Sequence, residues 1–354
     1  MENNILIVGG YGSVGSVISQ HLSKTYPNRV IVAGRSFDKA EHLCQKLNHR
    51  ATPLRCDINN TKRYSELLND VTLVIMCIDQ NDTSFVQYCF SEGIMYIDIT
   101  AGYEFLSEVE KLDDIAVENN ATGVLSVGLA PGITNLLAKH CKNQLAETIE
   151  LDIHLLLGSG EKHGTAAYHW MLDNLNTKYL IKGIKQDYTV ESFSDPKEVY
   201  FNSELGKRKT YLFNLSDQHV IANNIEGVRV FTRVCFESSL ITNLIALSEL
   251  TGLSVVFKQK YIQDFVIKLI NAIPLGSDIF MAKVIGRGHD GSTYQCSLSG
   301  HGEAYTTGLV AIEVAKRLIN NSQPIGIYHL DQLFKPKEFI MKLVEREEPL
   351  EVIF

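Results

Sequence analysis

Residues 4–15, NILIVGGYGSVG, run an apolar strand straight into a glycine-rich turn. Behind the turn, Val14, Val17, Ile18 and Leu22 repeat at helical spacing. Gly10, Gly12 and Gly15 satisfy G-x-G-x-x-G, and Gly9, Gly12 and Gly15 give a second, wider spacing. Such a turn needs glycine because the chain must reverse tightly and bring its backbone close to a pyrophosphate. The phosphates then lie on free N–H groups at the helix start. Placed between a strand and an amphipathic helix, the pattern predicts a dinucleotide fold, with Tyr11, Ser13 and Val14 beside the phosphates.

The rhythm that follows supports this. Apolar runs at 29–33, 53–56, 72–78, 95–99 and 123–127 alternate with helical patterns. Near-continuous apolar strands separated by helices mean a parallel sheet covered on both faces. The expected fold class is α/β, with an N-terminal Rossmann, doubly wound parallel sheet over residues 1–130. Beyond about residue 145 the rhythm breaks. Strands at 148–157, 209–214 and 228–236, helices at 165–175, 239–250 and 261–273, and a hairpin of 279–285 with 293–298 predict a C-terminal α+β domain with a mixed sheet, 131–302. Residues 303–354 are expected to pack back on the Rossmann domain, ending in a solvated, charge-laced helix.

A length of 354 residues fits two domains. The 33 Lys and Arg against 41 Asp and Glu leave a net charge of −8, which argues against nucleic acid or an anionic membrane as partner. Seven scattered cysteines without a C-x-x-C pair argue against a metal site or a disulfide framework and fit a reducing, cytoplasmic setting. Neither a signal peptide nor a membrane-spanning run is expected.

The second strand ends Ala33-Gly34-Arg35-Ser36, where an acid would serve the ribose hydroxyls of NAD or FAD. A 2′-phosphate would repel that acid but pair bidentately with Arg35, with Ser36 as a further donor. NADP is therefore expected, with NAD possible. No Tyr-x-x-x-Lys dyad occurs among the 15 tyrosines, which removes the short-chain dehydrogenases. Arg35 also opposes a methyltransferase. Asp57, Ile58, Cys77, Ile78, Asp79, Thr100, Leu129 and Pro131 follow strand ends and complete the expected cofactor contacts.

GIMYIDITAGYE (93–104) and GLAPGITNLL (128–137), together with VAGRS-x-x-KAE, resemble the saccharopine dehydrogenase-like family. GSGEKHG (158–164) and SGHGEAYTTG (299–308) look like its second-domain loop and returning helix. The resemblance implies an NAD(P)-dependent oxidoreductase, a homodimer, acting at a C–N bond of an amino-acid- or opine-type substrate. The family includes saccharopine reductases, lysine 6-dehydrogenases and carboxynorspermidine dehydrogenases. Ala130 stands where the saccharopine reductases carry an acid, which argues against saccharopine itself. Hydride transfer at an ordinary carbonyl and a non-catalytic NADP-binding regulator are the alternative readings.

For chemistry, Asp98 ends a strand and either stabilises a developing iminium or caps the 100–102 turn. Glu161 and His163 lie in a glycine-bounded loop, with His163 suited to general acid work near neutral pH. His169 sits one turn into the next helix, and Arg233 lies on a strand as a carboxylate partner or an exposed arginine. Thr134, Asn135 and Tyr305 are further substrate candidates, and His301, Glu303 and Thr306 begin the returning helix.

Overall fold

The computed structural model describes residues 3–145, 147–161, 164–184, 186–272, 276–321, 323–345 and 350–354. The chain divides into two compact units, 1–132 with 304–334, and 133–303 with 335–354.

The first segment alternates β1 (Asn4–Val8), α1 (Ser13–Thr25), β2 (Val30–Gly34), α2 (Phe37–Lys46), β3 (Ala51–Arg55), α3 (Tyr64–Leu67), β4 (Val71–Met76), α4 (Ser84–Ser91), β5 (Met95–Asp98), α5 (Tyr103–Glu110), α6 (Asp113–Glu118) and β6 (Thr122–Leu125). The second unit begins with α7 (Thr134–Gln144), β7 (Thr148–Leu157), α8 (Thr165–Asn174), β8 (Lys178–Ile181), β9 (Tyr188–Glu191), β10 (Lys197–Tyr200) and β11 (Lys207–Leu212). It continues through α9 (Ser216–Asn224), β12 (Arg229–Phe236), α10 (Ser239–Leu250), α11 (Lys260–Ala272), β13 (Ile279–Gly288) and β14 (Thr293–His301). The chain closes with α12 (Glu303–Asn320), β15 (Gly326–His329), α13 (Leu330–Leu333), α14 (Pro336–Val344) and β16 (Glu351–Ile353).

Unit 1 is a seven-stranded sheet in the order β15-β6-β5-β4-β1-β2-β3, parallel throughout. The order reverses between β1 and β4, which opens the crevice where such sheets bind ligands. Ile5, Leu6 and Ile7 are fully buried because helices cover both faces. In α1, Ile18 and Leu22 face the sheet, and the Ser19 hydroxyl donates to the Gly10 carbonyl at 2.9 Å. Ser36 caps α2 by accepting from the Lys39 N–H at 3.4 Å. The sequence reading ended this sheet at six strands; β15 adds a seventh beside β6. The Ser126 hydroxyl and His329 Nδ1 lie 2.8 Å apart, and His329 Nε2 sits 2.9 Å from Glu110, tying that edge to α5.

Unit 2 is a mixed sheet, β10-β11-β12-β7-β13-β14-β16, in which β12 and β7 run parallel and the other pairs antiparallel. On one face Leu151, Ile153 and Leu155 are buried, and α7 crosses so closely that a Cβ on Gly286 would meet the Cys141 sulfur at 2.7 Å. The opposite face carries Glu150, Asp152 and His154 at period two. β8 and β9 form a separate hairpin.

The stretch 303–354, read from sequence as one piece, divides after Phe334: α12, β15 and α13 complete unit 1, whereas α14 and β16 belong to unit 2. The last helix is not simply solvated. Pro336, Phe339, Ile340 and Leu343 form a buried stripe, and β16 behind it pairs with β14. Among the described residues no helix is long and apolar enough to cross a membrane.

Candidate active site

In unit 1 the chain leaves β1 through Gly9 at φ +78°, with the Gly9 and Gly10 N–H groups donating to the Ala33 carbonyl at 2.8 and 3.1 Å. A Cβ on Gly9 would lie 2.6 Å from the Ile78 side chain, and one on Gly15 would collide with the Gly9 carbonyl. Only glycine fits at these two positions. Helix α1 then starts at Ser13 with Gly12 as its cap, and no side chain satisfies the first N–H groups. Backbone donors at a glycine-rich turn are what a pyrophosphate requires, so the residues present fit a dinucleotide.

At the end of β2, Arg35 is exposed and forms no ion pair among the described residues. Ser36 uses its N–H on the Tyr11 hydroxyl, 3.0 Å away. The Tyr11 ring covers Gly34 so tightly that a Cβ there would meet it at 2.5 Å. The glycine turn and the β2 tip are thus locked together by Tyr11, with exposed Arg35 next to Ser36 in the chain. The Ser36 hydroxyl, an acceptor for Lys39, still carries a proton to donate.

The ends of β3 and β4 supply the next part. Asp57 is exposed and accepts from the Asn59 N–H and side-chain amide, both at 3.1 Å. Ile58 is buried and lines a cleft of about 210 Å³ with Asn59, Tyr64, Gln80 and Asn81. Cys77 hangs on the Val8 carbonyl through its N–H at 2.9 Å, and burial pushes its thiol well up, so it stays protonated. Ile78 and Asp79 are exposed beyond it.

Asp98, at the tip of β5, is fully buried. One carboxylate oxygen accepts from the Tyr96 hydroxyl at 2.6 Å and the Gln80 amide at 3.3 Å; the other accepts from the Thr100 N–H at 2.7 Å. Burial raises the carboxyl, against the hydrogen bonds from Thr100 and Tyr96. Gln80 also donates to the Tyr96 hydroxyl at 2.8 Å, which makes it the bridge between the β4 and β5 loops. In the sequence, the one signal for Gln80 is its place just past a strand end. After β6, Leu129 donates its N–H to the Thr307 hydroxyl at 3.2 Å, ahead of half-buried Ala130, buried Pro131 and Gly132 at φ +136°.

In unit 2, Thr134 and Asn135 are fully buried at the start of α7. The loop after β7 packs against residues 276–279: the Gly160 N–H donates to the Ser277 carbonyl at 2.8 Å, and a Cβ on Gly158 would meet that carbonyl at 2.5 Å. Glu161 accepts the Glu303 N–H at 2.6 Å, so two glutamates meet where α12 begins. Burial first, and the charge of Glu161 second, push the Glu303 carboxyl up to about 8. A glutamate so placed keeps its proton at neutral pH.

Other expected members of the site lie elsewhere. His163 falls outside the described residues. His169 turns toward α11, with Nδ1 2.6 Å from the Gln263 amide oxygen and Nε2 3.3 Å from Asp264. Arg233, expected as a carboxylate partner or an exposed arginine, is buried, which overturns the exposed alternative, and its guanidinium contacts internal acids. It contacts Asp152 at 3.3 Å and the Asp195 carboxylate at 2.6 Å, and it also donates to the Asp195 carbonyl. Lys197 joins the same group through Asp152. Neighbouring His154 is buried, which pushes its imidazole down to about 3. The alternation of Glu150, Asp152 and His154 signalled this row in sequence, but not its partners. Tyr305 stacks edge-on against His21 of α1, centroids 6.2 Å apart. Thr306 is buried, and His301 pairs with Asp278 at 2.6 Å. Among the described residues, no group of three or more His, Cys, Asp or Glu is placed to hold a metal ion.

Residues 5–124 match the family description "Saccharopine dehydrogenase NADP binding domain". Among solved structures, apo saccharopine dehydrogenase (L-Glu forming) from Saccharomyces cerevisiae is similar at 13% identity, with 99% of this chain and 100% of that one covered and a TM-score of 0.67. A meso-dapdh mutant with DAP from Clostridium tetani aligns at 10% identity over 98% and 97% of the two chains, TM-score 0.47. A dehydrogenase (MviM) from Clostridium difficile aligns at 9% over 98% and 100%, TM-score 0.43. No curated protein sequence matches the chain. The yeast likeness is one of fold; the family match assigns residues 5–124 to an NADP-binding domain and supports an NAD(P)-dependent oxidoreductase.

Proposed function

We propose, for a saccharopine dehydrogenase-like chain with an NADP-binding domain, that it moves hydride at the C–N bond of an amino-acid- or opine-type substrate. NADPH, when bound, supplies the hydride. The glycine turn and the open start of α1 hold the phosphates, and Arg35 with the Ser36 hydroxyl takes the 2′-phosphate. Tyr11 fixes the distance between those two subsites. Asp98 holds the Thr100 turn and Tyr96 in place at the β5 tip, which makes it a positioning residue in this reading. The Glu161–Glu303 pair is the part of unit 2 equipped to hold and release a proton near neutral pH, as imine formation and reduction require.

The observation that carries the reading is the Glu161–Glu303 contact, in which the Glu303 N–H donates to the Glu161 carboxylate at 2.6 Å. Burial with that charge raises the Glu303 carboxyl to about 8, in a chain whose residues 5–124 match an NADP-binding domain. The test is NADPH oxidation with an oxo acid or aldehyde, with and without an amine. The expected outcome is turnover only when both are present. Turnover on a carbonyl compound alone replaces the proposal with carbonyl reduction, and NADPH binding without turnover on any pair replaces it with a regulatory role.

A further inference from the structure

Tyr11 is the one large side chain in the turn 9–12, and it lies half-buried across the tip of β2. A Cβ on Gly34 would sit 2.5–2.7 Å from three atoms of the phenol, the hydroxyl oxygen among them. The backbone of Gly34 is not left-handed, so glycine is required there by the ring and not by the chain. The hydroxyl oxygen accepts the Ser36 N–H at 3.0 Å. A phenol carries one proton besides its acceptor sites, so this bond uses a lone pair and leaves the proton for another partner. Among the described residues no acceptor takes it. Ser36 has the same surplus, since its hydroxyl accepts the Lys39 N–H at 3.4 Å and keeps its own proton. Two spare hydroxyl protons therefore flank exposed Arg35 at the end of β2.

We infer that Tyr11 is a specificity-determining residue whose hydroxyl donates directly to the 2′-phosphate of NADP. The inference rests on the reading above, in which Arg35 and Ser36 receive that phosphate, and adds a third donor that comes from the glycine turn. A doubly ionised phosphate only accepts hydrogen bonds, and the guanidinium with two hydroxyl protons is a set of donors. A phenol bonded to an anion makes a charge-assisted contact, about twice as strong as one between neutral groups. NAD carries a ribose hydroxyl in that place, so the same phenol gains much less from it. The contact therefore separates the two cofactors, beyond setting the distance between the turn and β2. The Ser36 N–H fixes the phenol oxygen before any cofactor arrives, which lowers the cost of ordering the side chain on binding.

The test is fluorescence titration of the full chain with NADPH and with NADH, with circular dichroism to show that each variant is folded. Tyr11→Phe keeps the ring on Gly34 and removes only the hydroxyl. It should weaken NADPH about tenfold or more and leave NADH within about twofold. The substitution also takes an acceptor from the Ser36 N–H, so it is repeated in an Arg35→Ala, Ser36→Ala background. Direct donation predicts that the preference for NADPH over NADH falls there by a further factor of about three or more. An unchanged ratio in that background means that Tyr11 acts only through its neighbours and overturns the inference. Equal losses of NADPH and NADH in Tyr11→Phe assign the side chain to the pyrophosphate turn and overturn it too. A wild type that prefers NADPH, beside a Tyr11→Phe that prefers it as strongly, removes the role of Tyr11 alone. A wild type that binds both cofactors equally removes the reading of the 2′-phosphate site and this inference with it.

Discussion

The backbone N–H of Glu303 donates to a carboxylate oxygen of Glu161 at 2.6 Å, so one glutamate caps the helix that the other begins. The cap is favourable because it sets negative charge on a helix N-terminus. The same charge, added to burial, lifts the Glu303 carboxyl from an ordinary 4.5 to about 8.

A pH dependence follows from that shift. Between about pH 4.5 and 8 the folded chain keeps a proton on Glu303 that the unfolded chain has released. This contribution to stability is therefore complete at low pH and lost as pH rises through about 8. Denaturant midpoints should fall over that window in the wild type and stay flatter in Glu303→Gln. If Glu303 is the proton donor, NADPH oxidation should decline with an apparent pKa near 8, and Glu303→Gln should remove that limb while sparing NADPH affinity. Superimposable rate profiles for the two proteins would exclude the role.

Cofactor choice rests on Arg35, exposed beside the Tyr11–Ser36 contact and without an ion pair among the described residues. NADPH should bind at least about tenfold (~1.4 kcal/mol) more tightly than NADH. Arg35→Asp should weaken NADPH and spare NADH, measured by fluorescence titration. Equal affinities in the wild type would remove the role given to the guanidinium.

What the sequence made legible was local. The glycine turn, Arg35 and the strand–helix alternation each depend on neighbours within some twenty residues, and the structure places them in one crevice edge. Relations spanning the chain were invisible. Glu161 and Glu303 stand 142 positions apart, and β15 is four residues long, held by pairing with β6 rather than by its own propensity. The short strands β8, β9 and β10 went unread for the same reason. Arg233 shows the sharper difficulty: its apolar flanks indicated burial equally well as a ligand site, and its partners Asp152 and Asp195 are distant in sequence.

At the β5 tip, Tyr96→Phe removes the hydroxyl that donates to buried Asp98 and leaves that oxygen with the weaker Gln80 contact. The expected cost is about 1–3 kcal/mol, read from urea unfolding, because a buried acceptor loses its best donor. Asp98→Ala should lower turnover well beyond its effect on NADPH affinity, through displacement of the Thr100 turn. Unchanged turnover in Asp98→Ala would confine the carboxylate to stability.

Arg233→Met tests whether that guanidinium serves the fold or the substrate. The substitution leaves Asp152 buried with Lys197 and without its arginine, and Asp195 without its ion pair. Removing one partner of a buried ion pair costs about 3–5 kcal/mol. Stability should therefore drop by that order while KM for the carboxylate substrate stays within about twofold. Adding Asp152→Leu should recover part of the loss, since the stranded charge is then gone. A large rise in KM with little change in unfolding midpoint would instead make Arg233 a substrate ligand.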